Sequence, residues 1–247
     1  WVVIALWEPQ GFPWWAVATG MGLLAPFVIP WIGKLLGRTP APMPPVKPHY
    51  VLDRFGELTI IVLGEFFLKA ALGAAERESY LLPTFYGVSL LAVSVGLWWL
   101  YFDHLDHSRL TGPGARHRFW IDLHYPFLAA VAAYGVAGYK VLALAPGQAL
   151  ADEKRLLLCG ALAVALLAGA GLEWAAPERK EPRARKPQVW VRVAAAAVLA
   201  LLALWGGAVS APLLVALIAL VFVALVAVDA YARLKRPLVE TVVTVTE

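Results

Sequence analysis

What this sequence lacks narrows it before any motif is read. Its 247 residues include one cysteine, Cys159, and two methionines. A lone cysteine excludes an intramolecular disulfide and a cysteine-based metal cluster within the chain, and its place in an apolar run marks it as a packing residue. Charge is scarce: 15% of residues are Asp, Glu, Lys or Arg, against about 25% in soluble domains. No basic start followed by a cleavage site is visible, so no signal peptide is read. Residues 211–232 contain no lysine, which excludes a retinal photoreceptor with its Schiff-base lysine in the last helix. No His-Glu-x-x-His or comparable spacing occurs, so neither metal nor cofactor is expected.

What is abundant is apolar. Hydrophobic residues make up 61% of the chain and the mean hydropathy is +0.70; soluble domains sit near 45–50% apolar. A single water-facing globule cannot bury that much surface, so lipid must be the solvent for much of it. The formal charge of +4 and pI near 9.2 do not indicate nucleic acid, because the bases gather in short breaks between apolar runs.

Runs long enough to cross a bilayer, about 17–25 residues, predict helices near 13–33, 50–73, 82–102, 119–144, 155–175, 189–207 and 211–232. The expected fold is an all-α polytopic bundle of about seven transmembrane helices. Gly206-Gly207 through Pro212 punctuates the last apolar stretch into a hairpin. Pro26 and Pro30 are expected to kink the first helix, and Pro40 to Pro48 to form an extended linker. Residues 1–12, opening Trp-Val-Val-Ile-Ala-Leu-Trp, read as the tail of a further upstream segment. The five-helix core would then be 13–175, followed by a basic linker at 176–188, the hairpin at 189–236 and a tail at 237–247.

The bases orient this bundle. Lys34, Arg38, Lys47 and Arg54; Arg109, Arg116 and Arg118; Arg179, Lys180, Arg183, Arg185, Lys186 and Arg192; and Arg233, Lys235 and Arg236 fall in alternate connections. Those sixteen face only Lys69, Arg77, Lys154 and Arg155 on the other side, with Lys140 inside a helix. Basic loops stay cytoplasmic, so the 176–190 linker and the C-terminus are expected inside, in a plasma (inner) membrane. Trp98, Trp99, Tyr101, Trp120, Trp174, Trp190 and Tyr231 are expected in the inner interfacial belt, and Trp14, Trp15, Tyr86, Tyr139 and Trp205 in the outer one.

The second helix breaks the apolar rule. From an entry near Tyr50, Glu57 lies about 10 Å in and Glu65 about 22 Å in, at roughly 1.5 Å per residue. Asp53, Glu57 and Glu65 span an arc of roughly 120°. Acids at hydrocarbon depth must be paired, hydrated or protonated, so they are expected to face the bundle interior, while Gly56 and Gly64 admit a neighbouring helix. A second polar group closes the third helix and opens the fourth: Asp103, His104, Asp106 and His107, then His117, Arg118, Asp122 and His124. Asp103, Asp122 and His124 lie nearest the core; the others are expected to solvate helix ends.

The segment His49-Tyr50-Val51-Leu52-Asp53-Arg54-Phe55-Gly56-Glu57, running on to Leu63-Gly64-Glu65, resembles the hallmark of the bacterial low-temperature-requirement A family. Asp53-Arg54 stands where the family usually has Glu-Arg, and Glu57 where an apolar residue is commoner. Trp98-Trp99-Leu100-Tyr101-Phe102-Asp103 is similar to the family's second block, and His124-Tyr125-Pro126 to its His-x-Pro block. The resemblance places this chain in the C-terminal half of a longer multi-pass protein, without the N-terminal Phe-Phe-Asp-Leu block, and implies no biochemical activity.

Transport is the leading expectation: a path for protons, ions or a small polar solute, lined by Glu57 and Glu65, with Asp103, Asp122 and His124 at its cytoplasmic end and Arg54 paired to a nearby acid. Two rivals stand beside it. One is an embedded enzyme working on a lipid headgroup by Asp/His acid–base chemistry, against which stands the lack of a nucleophile motif. The other is a structural or stress-response protein whose polar residues only lock the bundle. Expected partners are the lipid bilayer, the transported species, a second copy in a homo-oligomer and the upstream half of the protein, with nucleic acid excluded.

Overall fold

The computed structural model describes residues 32, 33, 35, 53–64, 81–105, 115–144, 148, 150–175 and 185–234, with backbone alone for 103–105, 115–118, 185–187 and 233. The chain divides into two units, Trp1–Lys47 and Pro48–Glu247, and every helix discussed below belongs to the second. The expected first helix at 13–33 lies almost wholly outside the described residues.

Among the described residues all regular structure is helical. Helix α1 covers residues 53–64. It is followed by α2 (Leu81–Leu105), α3 (Ala115–Leu142), α4 (Asp152–Ala175), α5 (Arg185–Trp205) and α6 (Ala211–Leu234). The last five are long and apolar enough to cross a membrane. Their positions agree with the third to seventh of the predicted runs, and α1 falls within the second. A 3-10 turn, Gly206–Ala208, separates α5 from α6 where the Gly/Pro punctuation predicted a break.

Side-chain contacts fix the direction of each helix. Gln188, at the start of α5, bonds Asp229, near the end of α6. Arg192 of α5 reaches Leu100 near the end of α2 and Glu173 near the end of α4. Phe55 at the start of α1 touches Trp120 and His124 near the start of α3. At the opposite end Arg155, in the first turn of α4, donates from Nε to the Ala203 carbonyl near the end of α5 at 3.1 Å and pairs with Asp152 at 2.6 Å. That guanidinium supplies a donor to one of the last-turn carbonyls that a helix leaves without intrahelical partners. The α2–α6 run therefore alternates up and down.

Helix α4 is the centre of the packing, against α3 on one side and α5 on the other, while α2 packs chiefly on α6. More than half of α4 is buried, through Cys159, Ala161, Ala163, Ala165, Ala168 and Ala170 among others. Between lipid-bathed helices there is little hydrophobic driving force, so close van der Waals approach on small residues supplies the cohesion. Gly171 shows how close: a Cβ there would stand 2.9 Å from Leu123 Cδ1 of α3. Leu81, Val88, Val95, Leu204 and Leu220 are exposed, a surface suited to acyl chains.

The aromatic belts are met in part. Trp98, Trp174, Trp190 and Tyr231 are exposed at one end of the bundle, and Tyr139 and Trp205 at the other. Tyr86, Tyr101 and Trp120, expected in those belts, are instead buried. Their rings pack against neighbouring helices, and Tyr101 and Trp120 become parts of a polar site.

Candidate functional site

Two polar groups lie at the end of the bundle shared by the starts of α1, α3 and α5 and the ends of α2, α4 and α6. The first is built around His124, five residues into its span and so about 7–8 Å deep at roughly 1.5 Å per residue. It is wholly buried at 0% exposure. Its ring stacks on Phe55 at 4.1 Å between centroids and meets Trp120 at 4.2 Å and Tyr101 at 5.9 Å. His124 Nδ1 lies 2.9 Å from the Trp120 carbonyl. A carbonyl only accepts, so Nδ1 carries the proton. Thr59 is buried below Phe55 on α1, donating to the Phe55 carbonyl at 2.7 Å and interacting with the Tyr101 side chain.

The second group is ionic. Arg192 and Glu173 are 4% and 5% exposed and stand 3.3 Å apart. Arg192 donates further to the Leu100 carbonyl at 3.2 Å and the Gly169 carbonyl at 3.4 Å. Asp229, also buried, adds its charge to the field on Arg192 and accepts from Trp99 Nε1 at 3.2 Å and Gln188 Nε2 at 2.8 Å. A guanidinium flanked by two carboxylates and by helix carbonyls satisfies its donors inside a low-dielectric interior, which a lone charge at that depth does not. By residue count Glu173, Asp229 and Arg192 sit about 3–6 Å inside their spans at roughly 1.5 Å per residue.

A cavity with about 20 Å³ of room for a water-sized sphere lies between the two groups. It is lined by Tyr101, Phe127, Glu173 and Arg192 together with apolar side chains of α2 and α4. That is enough space for about one water. Tyr101 thus borders both the His124 cluster and the ion pair.

The predicted site residues fare unevenly. His124 lies at the heart of the first group, and Asp122 is half-buried one turn from Pro126. Asp103 is in the last turn of α2, with its side chain outside the described residues, and Glu65 lies outside them altogether. The acids of α1 need correction. Asp53 is exposed, and Glu57, expected to face the interior, is 59% exposed and pairs with Arg54 at 2.8 Å. The buried face of α1 carries Gly56, Thr59 and Leu63 instead. The pairing of Arg54 with a nearby acid is as expected, and it satisfies Glu57 within its own helix. Gly56 admits Phe102, whose ring would stand 3.4 Å from a Cβ, while among the described residues none comes within 4 Å of a Cβ at Gly64.

Glu173, Arg192 and Asp229 were absent from the sequence-derived site. Arg192 reads as the last base of a cytoplasmic loop, and the two acids as interfacial ends of apolar runs. A signal existed: opposite charges just inside the ends of three spans that the basic loops bring to the same side.

No curated protein and no solved structure matches this chain. Residues 1–228 match the family model described as bacterial low temperature requirement A protein (LtrA), the family that the Asp53-Arg54 and Leu63-Gly64-Glu65 segment indicates. With five span-length helices and a family match over nearly all its length, the chain is an integral membrane protein and belongs to the LtrA family.

Proposed function

We propose that this LtrA protein is a transporter or channel, moving protons, ions or a small polar solute across the inner membrane. The observation that carries this reading is the burial of Glu173, Arg192, Asp229 and His124 inside membrane-length helices, with Glu173 and Arg192 lining a water-sized cavity. Ionisable groups at such depth are costly, and they most often mark solute or proton paths. In this reading Glu65 lies further along the path, Asp103, Asp122 and His124 form its cytoplasmic end, and the exposed Asp53 and Arg54–Glu57 pair stand at its mouth. Seven spans, a 13–175 core, a basic 176–188 linker, a 189–236 hairpin and a cytoplasmic 237–247 tail complete the topology, with lipid as the surrounding partner.

A second reading has its own support. Arg192 is held by Glu173 and two backbone carbonyls at once, as expected of a residue that locks three helices together. Flux of protons and common ions into liposomes holding the intact protein separates the two. The transport reading expects flux that falls sharply in folded Glu65→Gln and Glu173→Gln variants. Unchanged flux in both variants, or none in the parent, assigns the polar groups to bundle stability.

A further inference from the structure

The first polar group contains two atoms that its own residues do not satisfy. Among the described residues, buried Trp120 Nε1 and His124 Nε2 find no hydrogen-bond partner, and both residues are 0% exposed. Their characters are opposite. The indole N–H only donates. Because His124 Nδ1 gives its proton to the Trp120 carbonyl, Nε2 of the neutral ring presents a lone pair. A protonated Nε2 would be a buried, unpaired cation, the costlier arrangement.

A donor and an acceptor on rings 4.2 Å apart would ordinarily satisfy each other. Here the bond from Nδ1 to the Trp120 backbone holds the imidazole at 61° to the indole, and the direct bond is not made. A carbonyl would answer only the indole, and an ammonium only the imidazole. A single atom answers both in an O–H, which accepts from Trp120 and donates to His124. A neutral occupant suits the surroundings, since the rings of Phe55, Tyr101 and Trp120 wall the imidazole. Tyr101 also borders the neighbouring cavity, which has room for about one water.

We propose that Trp120 Nε1 and His124 Nε2 form a two-point binding site for a single neutral hydroxyl group, supplied by water or by a small alcohol. The site deepens the proposed path and rests on that reading for its part in transport. Its occupancy is measured without flux, so the two can fail separately.

The test is a proton–nitrogen spectrum of the indole N–H groups of the intact protein in lipid nanodiscs. The Trp120 signal is assigned by its loss in Trp120→Phe. The site predicts a hydrogen-bonded indole proton that exchanges magnetisation with water. If the alcohol is also a ligand, ethanol shifts this signal saturably while the exposed Trp98 and Trp174 signals stay in place. His124→Leu should weaken occupancy about tenfold, as loss of one hydrogen bond implies. His124→Gln, which restores an acceptor, should recover part of it. Water contact without an ethanol response identifies water as the occupant. An indole proton that is not hydrogen-bonded, contacts no water and ignores ethanol overturns the proposal.

Discussion

Consider removal of one partner from the Arg192–Glu173 pair. Both side chains are almost fully buried, so neither remaining charge can recover its hydration. Glu173→Gln keeps the shape and leaves Arg192 with the Leu100 and Gly169 carbonyls and the field of Asp229. Arg192→Met is harsher, because Glu173 and Asp229 then keep two negative charges with no guanidinium between them. Breaking a buried pair typically costs about 3–5 kcal/mol; Glu173→Gln should fall near the lower figure and Arg192→Met near the upper. The double variant removes the Glu173 charge that Arg192→Met orphans, so it should cost less than the sum of the singles by about 2 kcal/mol. Unfolding in mixed micelles of rising denaturing-detergent fraction, followed by helical circular dichroism, reads all three. Single losses under about 1 kcal/mol, or strict additivity, would refute a buried, mutually dependent pair.

Other substitutions probe separate parts of the bundle. Tyr134→Phe removes a hydroxyl that donates to the Leu90 carbonyl at 2.6 Å and meets Ser94 at 3.0 Å; a loss of about 1–2 kcal/mol by the same unfolding assay is expected. Arg54→Ala breaks an exposed pair and should change stability by at most about 1 kcal/mol. Gly171→Val drives a side chain into Leu123 and should cost about 1–3 kcal/mol, with Leu123→Ala in the same chain recovering part of it. Arg155→Met leaves the Ala203 carbonyl without its charged donor and should lower stability by about 1.5–3 kcal/mol.

The outline of the bundle was legible because lipid imposes a one-dimensional rule: apolar length sets a span, and basic loops set its direction. Helices α2 to α6 follow from that rule, as does the turn at Gly206. Which face of a helix points inward is a different question, and α1 shows why. Asp53 and Glu57 looked inward-facing because charge at depth must be satisfied, but Arg54 satisfies Glu57 from one turn back. The interior face went to Gly56, Thr59 and Leu63. Burial of Trp120 and Tyr101 was equally hidden, since an aromatic near a span end fits a belt and a core alike. His124 stood out in the sequence because it lies further toward the core than the other histidines near these helix ends. Arg192 was missed because it closes a run of loop bases, and the three-dimensional meeting of α2, α4 and α5 separates it from them.

The most direct test of a water-accessible polar path inside the membrane uses the scarcity of thiols. With the buried Cys159 replaced by Ala, Gly169→Cys places one thiol at the cavity lining beside Arg192, where a Cβ meets Arg192 Nη1 at an ordinary 3.8 Å. A small membrane-impermeant, thiol-reactive cation is then applied to inside-out and to right-side-out vesicles. The account predicts labelling from the cytoplasmic face, slowed when Glu173 is also changed to Gln. A Gly169→Cys thiol inert from both faces, in protein that still unfolds cooperatively, would contradict it.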